Sequence, residues 1–135
     1  MRSNISPRAI RKIISAEGYL ELELPRLALE ELESIDDAGL HEAPRQFMMG
    51  RALKAMSRFQ EAIRPFELAA RQFPPPQRRL AWKELVECYR SCGSTKLADL
   101  ADLLSKKHVR EVQVELRGIE LSIAVDQADG NASAD

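Results

Sequence analysis

Two cysteines one helical turn apart are the residues whose spacing first suggests chemistry. Cys88 and Cys92 fall on one face of a predicted helix, where two thiolates would form half of a zinc site. The two histidines, His41 and His108, are remote from them in the chain, and no second Cys or His pair supplies the other half. We therefore expect the cysteines to pack in a helical interior, and we predict no metal and no cofactor.

The other titratable residues do not form a catalytic motif. His108 and Glu111 lie near the end of a predicted helix without a nucleophile beside them, so the histidine is expected to interact with the helix C-terminus. Five glutamates between residues 21 and 33 alternate with leucines, which is typical of a solvated helix surface. The chain has no glycine-rich phosphate loop, no H-E-x-x-H pattern and no G-x-S-x-G pattern. We predict that the protein is not an enzyme.

Composition limits the class of protein further. The length of 135 residues is typical of one domain, and a net charge of −1 disfavours a nucleic-acid surface. No apolar run approaches the roughly 18 residues of a membrane span. The N-terminal stretch has no uninterrupted apolar core of a secretory signal, and two cysteines without such a signal favour a reducing compartment. The expectation is a cytoplasmic protein with no membrane segment.

Apolar residues at helical spacing predict six helices up to Lys107. Ser6 is expected to cap the first helix, with Pro7 at its first position. Pro44 is expected to begin the third helix. The three prolines at 74–76 are expected to stop the fourth helix and to form a stiff spacer before a fifth that starts near Gln77. The predicted units are three helical hairpins at about 9–42, 43–76 and 79–107.

After Lys107 the period of the apolar residues changes from helical spacing to strict alternation. Two alternating runs separated by Arg117 and Gly118 predict a β-hairpin at 108–125, and a seventh, capping helix is the alternative. The small, acidic residues 126–135 are expected to be a disordered tail. The expected hairpin pairs are Leu116 with Ile119, Val114 with Leu121, and Val112 with Ile123.

Residues of similar type recur along the helical part at intervals of 34 and then 36 residues. The extra two residues fall where the three prolines lengthen a connection. In the second helices of the hairpins the recurring small residues are Ala28, Ala62 and Ala98. In the first helices the residues at the helix crossings are Ala16, Gly50 and Val86. The large residues three positions after these crossings are Tyr19, Leu53 and Tyr89.

This spacing resembles the tetratricopeptide repeat family, whose pattern is W-x2-L-G-x2-Y…A-x3-F…P. The chain departs from it with Lys12 and Gln46 in tryptophan positions, Val86 in a glycine position and Asp102 in a phenylalanine position. The resemblance implies an all-α, right-handed α-α superhelix with a concave groove. The residues that carry it are Tyr19 and Ala28 in the first copy, Gly50, Ala62, Phe66 and Pro74 in the second, and Trp82, Leu85, Tyr89 and Ala98 in the third.

The resemblance further implies that the first helix of each unit lines the groove and binds a partner protein. Ile13, Phe47 and Leu80 are expected to be apolar anchors, and the charged positions to read the charges of a bound peptide or helix. The basic clamp by which some members of the family bind a carboxylate is absent here, so that mode is not expected. The full set of expected groove residues is Ile13, Glu17, Phe47, Arg51, Lys54, Leu80, Lys83 and Arg90.

These observations favour an adaptor, an assembly factor or a chaperone-type scaffold, and the compact, degenerate sequence suggests a bacterial one. Two other functions stay open. One is a helical-repeat protein associated with RNA through the basic residues between Arg71 and Lys83, with Trp82 and Tyr89 nearby. The other is self-association, through the edge of the hairpin or the open end of the last repeat.

Overall fold

The computed structural model describes residues 6–106, 111–116 and 119–124 of the chain. The predicted all-α architecture is confirmed, since six helices account for most of the first of these ranges. A single 3₁₀ turn, Gly39–His41, precedes the third helix. The helices are α1 (Pro7–Glu21), α2 (Pro25–Glu33), α3 (Glu42–Ala55), α4 (Phe59–Gln72), α5 (Pro75–Ser91) and α6 (Thr95–Lys106).

Each helix packs against the next one along the chain, and α1 also packs against α3. This order of contacts produces a stack of three hairpins, α1–α2, α3–α4 and α5–α6. One apolar core runs through the whole stack, and a smaller cluster of Ala69, Ala70 and Ala81 joins α4 to α5. Among the described helices, none is both long enough and apolar enough to cross a bilayer.

The residues that recur at intervals of 34 and 36 lie at the contacts between helices. Ala28, Ala62 and Ala98 of the second helices are all fully buried. Gly50 lies directly against Phe66, because a Cβ atom added at Gly50 would stand 2.7 Å from three carbon atoms of the Phe66 ring. Only a residue without a side chain allows α3 and α4 to approach this closely, as the repeat pattern predicts.

The turn within each hairpin has the same backbone conformation. Glu23, Ser57 and Gly93 each adopt a positive φ, of 61°, 61° and 82°, and they too are 34 and then 36 residues apart. In each turn the next residue donates its N–H to a carbonyl five residues earlier, which is the signature of a Schellman motif. These bonds, each of 2.8 Å, are Leu24 to Tyr19, Arg58 to Leu53 and Ser94 to Tyr89. The backbone therefore repeats with the same period as the sequence.

The beginnings of the helices follow the sequence signals in part. Ser6 caps α1, since its Oγ accepts a hydrogen bond of 3.3 Å from the N–H of Ala9. The spacer expected at residues 74–76 does not form, and α5 instead begins at Pro75 with Pro74 as its cap. Helix α3 also begins earlier than predicted, at Glu42 rather than Pro44. Proline is tolerated in a first turn because the N–H groups there have no acceptor within the helix.

Two antiparallel strands follow the helices, β1 (Glu111–Leu116) and β2 (Ile119–Ala124). Their register is the one that the alternation of apolar residues predicts. Residue 108, the turn at residues 117 and 118, and the acidic tail at 126–135 lie outside the described residues. The Cα partners include Leu116 with Ile119, Val114 with Leu121 and Val112 with Ile123.

Candidate protein-interaction face

The first helices of the three hairpins, α1, α3 and α5, present equivalent positions at offsets of 34 and 36 residues. We call the surface they share the first-helix face. Two rows of side chains cross this face and reach its surface: an apolar row of Ile10, Pro44 and Leu80, and a charged row of Glu17, Arg51 and Glu87. Since equivalent positions in the two rows are seven residues apart, the rows are separated by about 10 Å along the helices.

Ile13 does not lie on this face. Its side chain is only 8% exposed and belongs to the apolar core, together with Ala9 and Ala16 of the same helix. These residues are three or four positions apart and so share the side of α1 that packs inward. Ile13 therefore offers little accessible surface for the expected contact with a partner.

The two other expected anchors differ in accessibility. Phe47 is half-buried, and its ring meets those of Phe66 and Phe73 edge to face, with centroid distances of 5.5 and 5.7 Å. Phe47 therefore contributes to the packing of α3 on α4 and presents only part of its ring to solvent. Leu80 is 50% exposed and is the most accessible of the three.

Lys54 is held by acidic side chains of the neighbouring hairpin. Its Nζ lies 2.6 Å from Oε1 of Glu84 and 2.5 Å from Oε1 of Glu87, both on α5. Burial by itself would lower the pKa of Lys54, but the hydrogen bonds and charges of the two carboxylates outweigh it and the pKa is raised. Lys54 thus joins α3 to α5, and its charge is paired within the fold rather than left for a partner.

The remaining expected charges reach the surface of the first-helix face. Glu17, Lys83 and Arg90 are exposed, and Arg51 is half-buried. Arg90 lies 4.0 Å from Asp99 of α6, and both side chains are mostly exposed, so this pair adds little to stability and does not prevent Arg90 from reorienting. Together with Glu87, which is paired with Lys54, these four residues form the charged part of the face.

The aromatic residues near the basic segment between Arg71 and Lys83 are occupied within the fold. Tyr89 is buried, and its hydroxyl donates a hydrogen bond of 2.8 Å to Oε2 of Glu67. Burial, together with this carboxylate, raises the pKa of Tyr89 above its usual range. Trp82 packs against the core, and Nε of Arg78 donates to the carbonyl of Phe73 at 3.2 Å. These residues stabilise the contact of α4 with α5, so they do not form an exposed stacking surface for bases.

The two cysteines are free, and Cys88 is fully buried. Burial raises the pKa of the Cys88 thiol to about 11, so the group is neutral at physiological pH and is a poor nucleophile or ligand. In the part of the chain that the structure describes, no three His, Cys, Asp or Glu residues are grouped so that they could hold a metal ion.

Sequence reasoning missed the contact between Lys54 and Glu84. The repeat alignment contained a signal for this contact. Lys54 of α3 and Glu84 of α5 are 30 residues apart, and residues at this separation lie on facing sides of neighbouring repeats. At the preceding junction the equivalent residues are Leu20 and Met48, which are both half-buried against the core. The same contact is therefore apolar between the first two hairpins and ionic between the second and third.

Comparison of the chain with models of known protein families, with curated proteins and with solved structures gives no match. The architecture defines the class: an all-α stack of three helical hairpins that repeat in sequence and in backbone conformation.

Proposed function

We propose that this protein is a non-enzymatic interaction module that holds a segment of another protein across its first-helix face. The observation that carries the proposal is the apolar row, in which Leu80 stays half-exposed in register with Ile10 and Pro44. Packing between the hairpins does not require an accessible leucine there, and an apolar group beside charged ones is the usual composition of a peptide-binding surface.

The charged row defines the chemistry of the partner. Glu17, Arg51 and Glu87 alternate in sign across the three helices, and Glu87 stays mostly exposed although it is also paired with Lys54. A partner segment that crosses the helices would place an apolar side chain near Leu80 and charges of both signs about 10 Å away. Such a mixed pattern suits a peptide or a helix of another protein better than the uniform negative charge of a nucleic acid.

We further propose that the hairpins are degenerate tetratricopeptide units. The period of 34 residues and the recurrence of the same turn at Glu23, Ser57 and Gly93 support this assignment. The two free cysteines support a reducing compartment, and we place the module in the cytoplasm of a bacterium. These attributions extend the resemblance of the sequence and depend on it.

The proposal is tested by selecting a random peptide library on the immobilised wild-type chain and measuring the affinity of the enriched peptides by titration calorimetry. Leu80→Glu should weaken them by about tenfold or more, since it places a carboxylate where an apolar side chain packs. Leu80 is exposed, so this variant should unfold at the temperature of the wild type.

The matched control is Leu40→Glu, which changes another exposed leucine, 69% accessible, outside the first helices. It should leave the affinities unchanged. The proposed face would be refuted if the enriched peptides bound Leu80→Glu with the same affinity as the wild type, or if no peptide were enriched from the library. Arg51→Glu should shift selection toward peptides with basic residues at the positions where the wild type selects acidic ones.

A further inference from the structure

The outer face of α1 is defined by Arg11, Ile14, Gly18 and Leu22, which are three or four residues apart and lie opposite the buried side of the helix. Ile14 is 62% exposed and Leu22 is 68% exposed. A Cβ atom added at Gly18 would have no neighbour within 4 Å, so the helix surface has an open notch between the two apolar side chains.

The same face is covered in the other two first helices. The residues equivalent to Gly18 are Ala52 in α3 and Cys88 in α5, and both are fully buried. Arg45, which is equivalent to Arg11, donates a hydrogen bond of 2.9 Å to the carbonyl of Leu32 in the preceding helix α2. The outer face of α1 therefore continues an established type of interface, but no described element packs on it.

The charges of α1 are distributed against its helix dipole. Arg8 and Arg11 lie in the first half of the helix and Glu17 and Glu21 in the second, although acidic residues are favoured near the start and basic ones near the end. Helices α3 and α4 follow the favourable arrangement, with an acidic first turn and a basic last turn. Within the described residues, neither Arg11 nor Glu21 forms an ion pair.

We propose that a second copy of the chain covers this face, with the two α1 helices packed antiparallel across a two-fold axis at the level of residue 16. Arg11 lies five residues before this level and Glu21 five after it, so each arginine meets the glutamate of the other copy. Ile14 and Gly18 lie two residues before and after it, so each isoleucine fills the notch of the other copy. The Arg11–Glu21 charges and the fit of Ile14 to Gly18 are thus self-complementary, as a two-fold interface requires.

Head-to-tail stacking of copies is disfavoured by the opposite end of the protein. Leu32 of α2 and Phe66 of α4 occupy equivalent positions and are both fully buried. The equivalent residue of α6 is Asp102. Asp102 is half-buried, and Asp99, one turn earlier, is exposed. A further repeat stacked on α6 would have to bury these carboxylates together with their ion pairs to Lys106 and Arg90, and the burial of ion pairs is costly. Among the described helices, the face better suited to a second copy is therefore that of α1.

Sedimentation equilibrium of the full chain, up to millimolar concentration, tests the proposal. We expect a monomer–dimer equilibrium whose dissociation constant rises about tenfold or more in Gly18→Gln, because the notch is then filled. A Cβ atom at this position meets no atom within 4 Å in the monomer, and glutamine has a better helix propensity than glycine, so the monomer itself should stay folded.

Charge reversal gives a sharper test. Arg11→Glu and Glu21→Arg should each be monomeric alone, since like charges then face each other twice, whereas an equimolar mixture of the two should form a heterodimer. Lys96→Glu, an exposed change on α6, serves as the control and should dimerise as the wild type does. A wild type that stays monomeric throughout, a dimer that persists in Gly18→Gln, or single variants that fail to pair when mixed would each overturn the proposal.

Discussion

Two glycines in the first helices serve opposite purposes. Gly50 lies where α3 crosses α4, and any side chain there would overlap the ring of the fully buried Phe66. Gly18 lies on the outer face of α1 with open space around it. The packing of the surroundings, rather than the type of residue, therefore decides what a substitution at each position does.

Gly50→Ala should lower the free energy of unfolding by about 1–2 kcal/mol, because the overlap with Phe66 outweighs the better helix propensity of alanine. Gly18→Ala should instead raise it by up to about 1 kcal/mol, since only the propensity changes. Urea denaturation at concentrations where the chain is monomeric measures both values. Equal effects of the two substitutions would show that α3 and α4 do not approach as closely as described here.

At the scale of elements, the three hairpin turns impose the same backbone conformation on three different residues. A positive φ is strained for any residue with a Cβ atom, so Glu23 and Ser57 adopt at a cost the conformation that Gly93 adopts freely. Equivalent backbone hydrogen bonds close the turn in all three hairpins, so this geometry forms whether or not the turn residue is glycine.

Ser57→Gly should therefore stabilise the protein by about 0.5–1 kcal/mol, and Gly93→Ala should destabilise it by about 1 kcal/mol. The space around Gly93 is open, so the second effect would come from the backbone alone. Thermal unfolding by circular dichroism measures the difference, which should appear as melting temperatures shifted in opposite directions. Shifts of the same sign would contradict the common conformation of the turns.

The ionic junction between α3 and α5 replaces the apolar junction between α1 and α3. Lys54→Leu should cost about 1 kcal/mol, because it leaves the half-buried carboxylate of Glu84 without its cation. The double variant Lys54→Leu with Glu84→Met reproduces the residue types of Leu20 and Met48, and it should recover most of this loss. A double-mutant cycle by urea denaturation tests the coupling, and strictly additive effects would show that the pair does not interact.

At the scale of the whole molecule, buried neutral groups make the free energy of unfolding fall as the pH becomes alkaline. Burial raises the pKa of Cys88 to about 11, whereas a thiol in an unfolded chain has a pKa of about 8.5. Between these values the unfolded chain loses a proton that the folded protein keeps, so stability falls as pH rises. Tyr89 and Lys54, whose pKa values are also raised, add to the fall only above about pH 10.

The wild type should lose about 2 kcal/mol of unfolding free energy between about pH 8.5 and 10, and Cys88→Ala should lose much less over that range. The alanine variant is expected to start from a lower stability because it leaves a small cavity, so the slopes rather than the absolute values are compared. Urea denaturation at several pH values gives these slopes. An identical slope in the variant would assign the alkaline loss to other groups.

The sequence by itself determined the repeating elements. The helices, the small residues at their crossings, the glycine of the last turn and the register of the β1–β2 hairpin all follow from patterns within a few residues or from a constant period. Such signals are local. The periodicity of a helix or strand determines which residues share a face, whatever that face packs against.

Only the tertiary structure decided which residues of the first helices remain available. Ile13 is buried, Phe47 is held by two other phenylalanines, and Lys54 is neutralised by two glutamates of the next hairpin. These outcomes depend on side chains about 20 to 30 residues away, brought together by stacking, and no local pattern states how closely neighbouring hairpins approach. For the same reason the open notch at Gly18 and the polar end at α6 depend on how the hairpins stack.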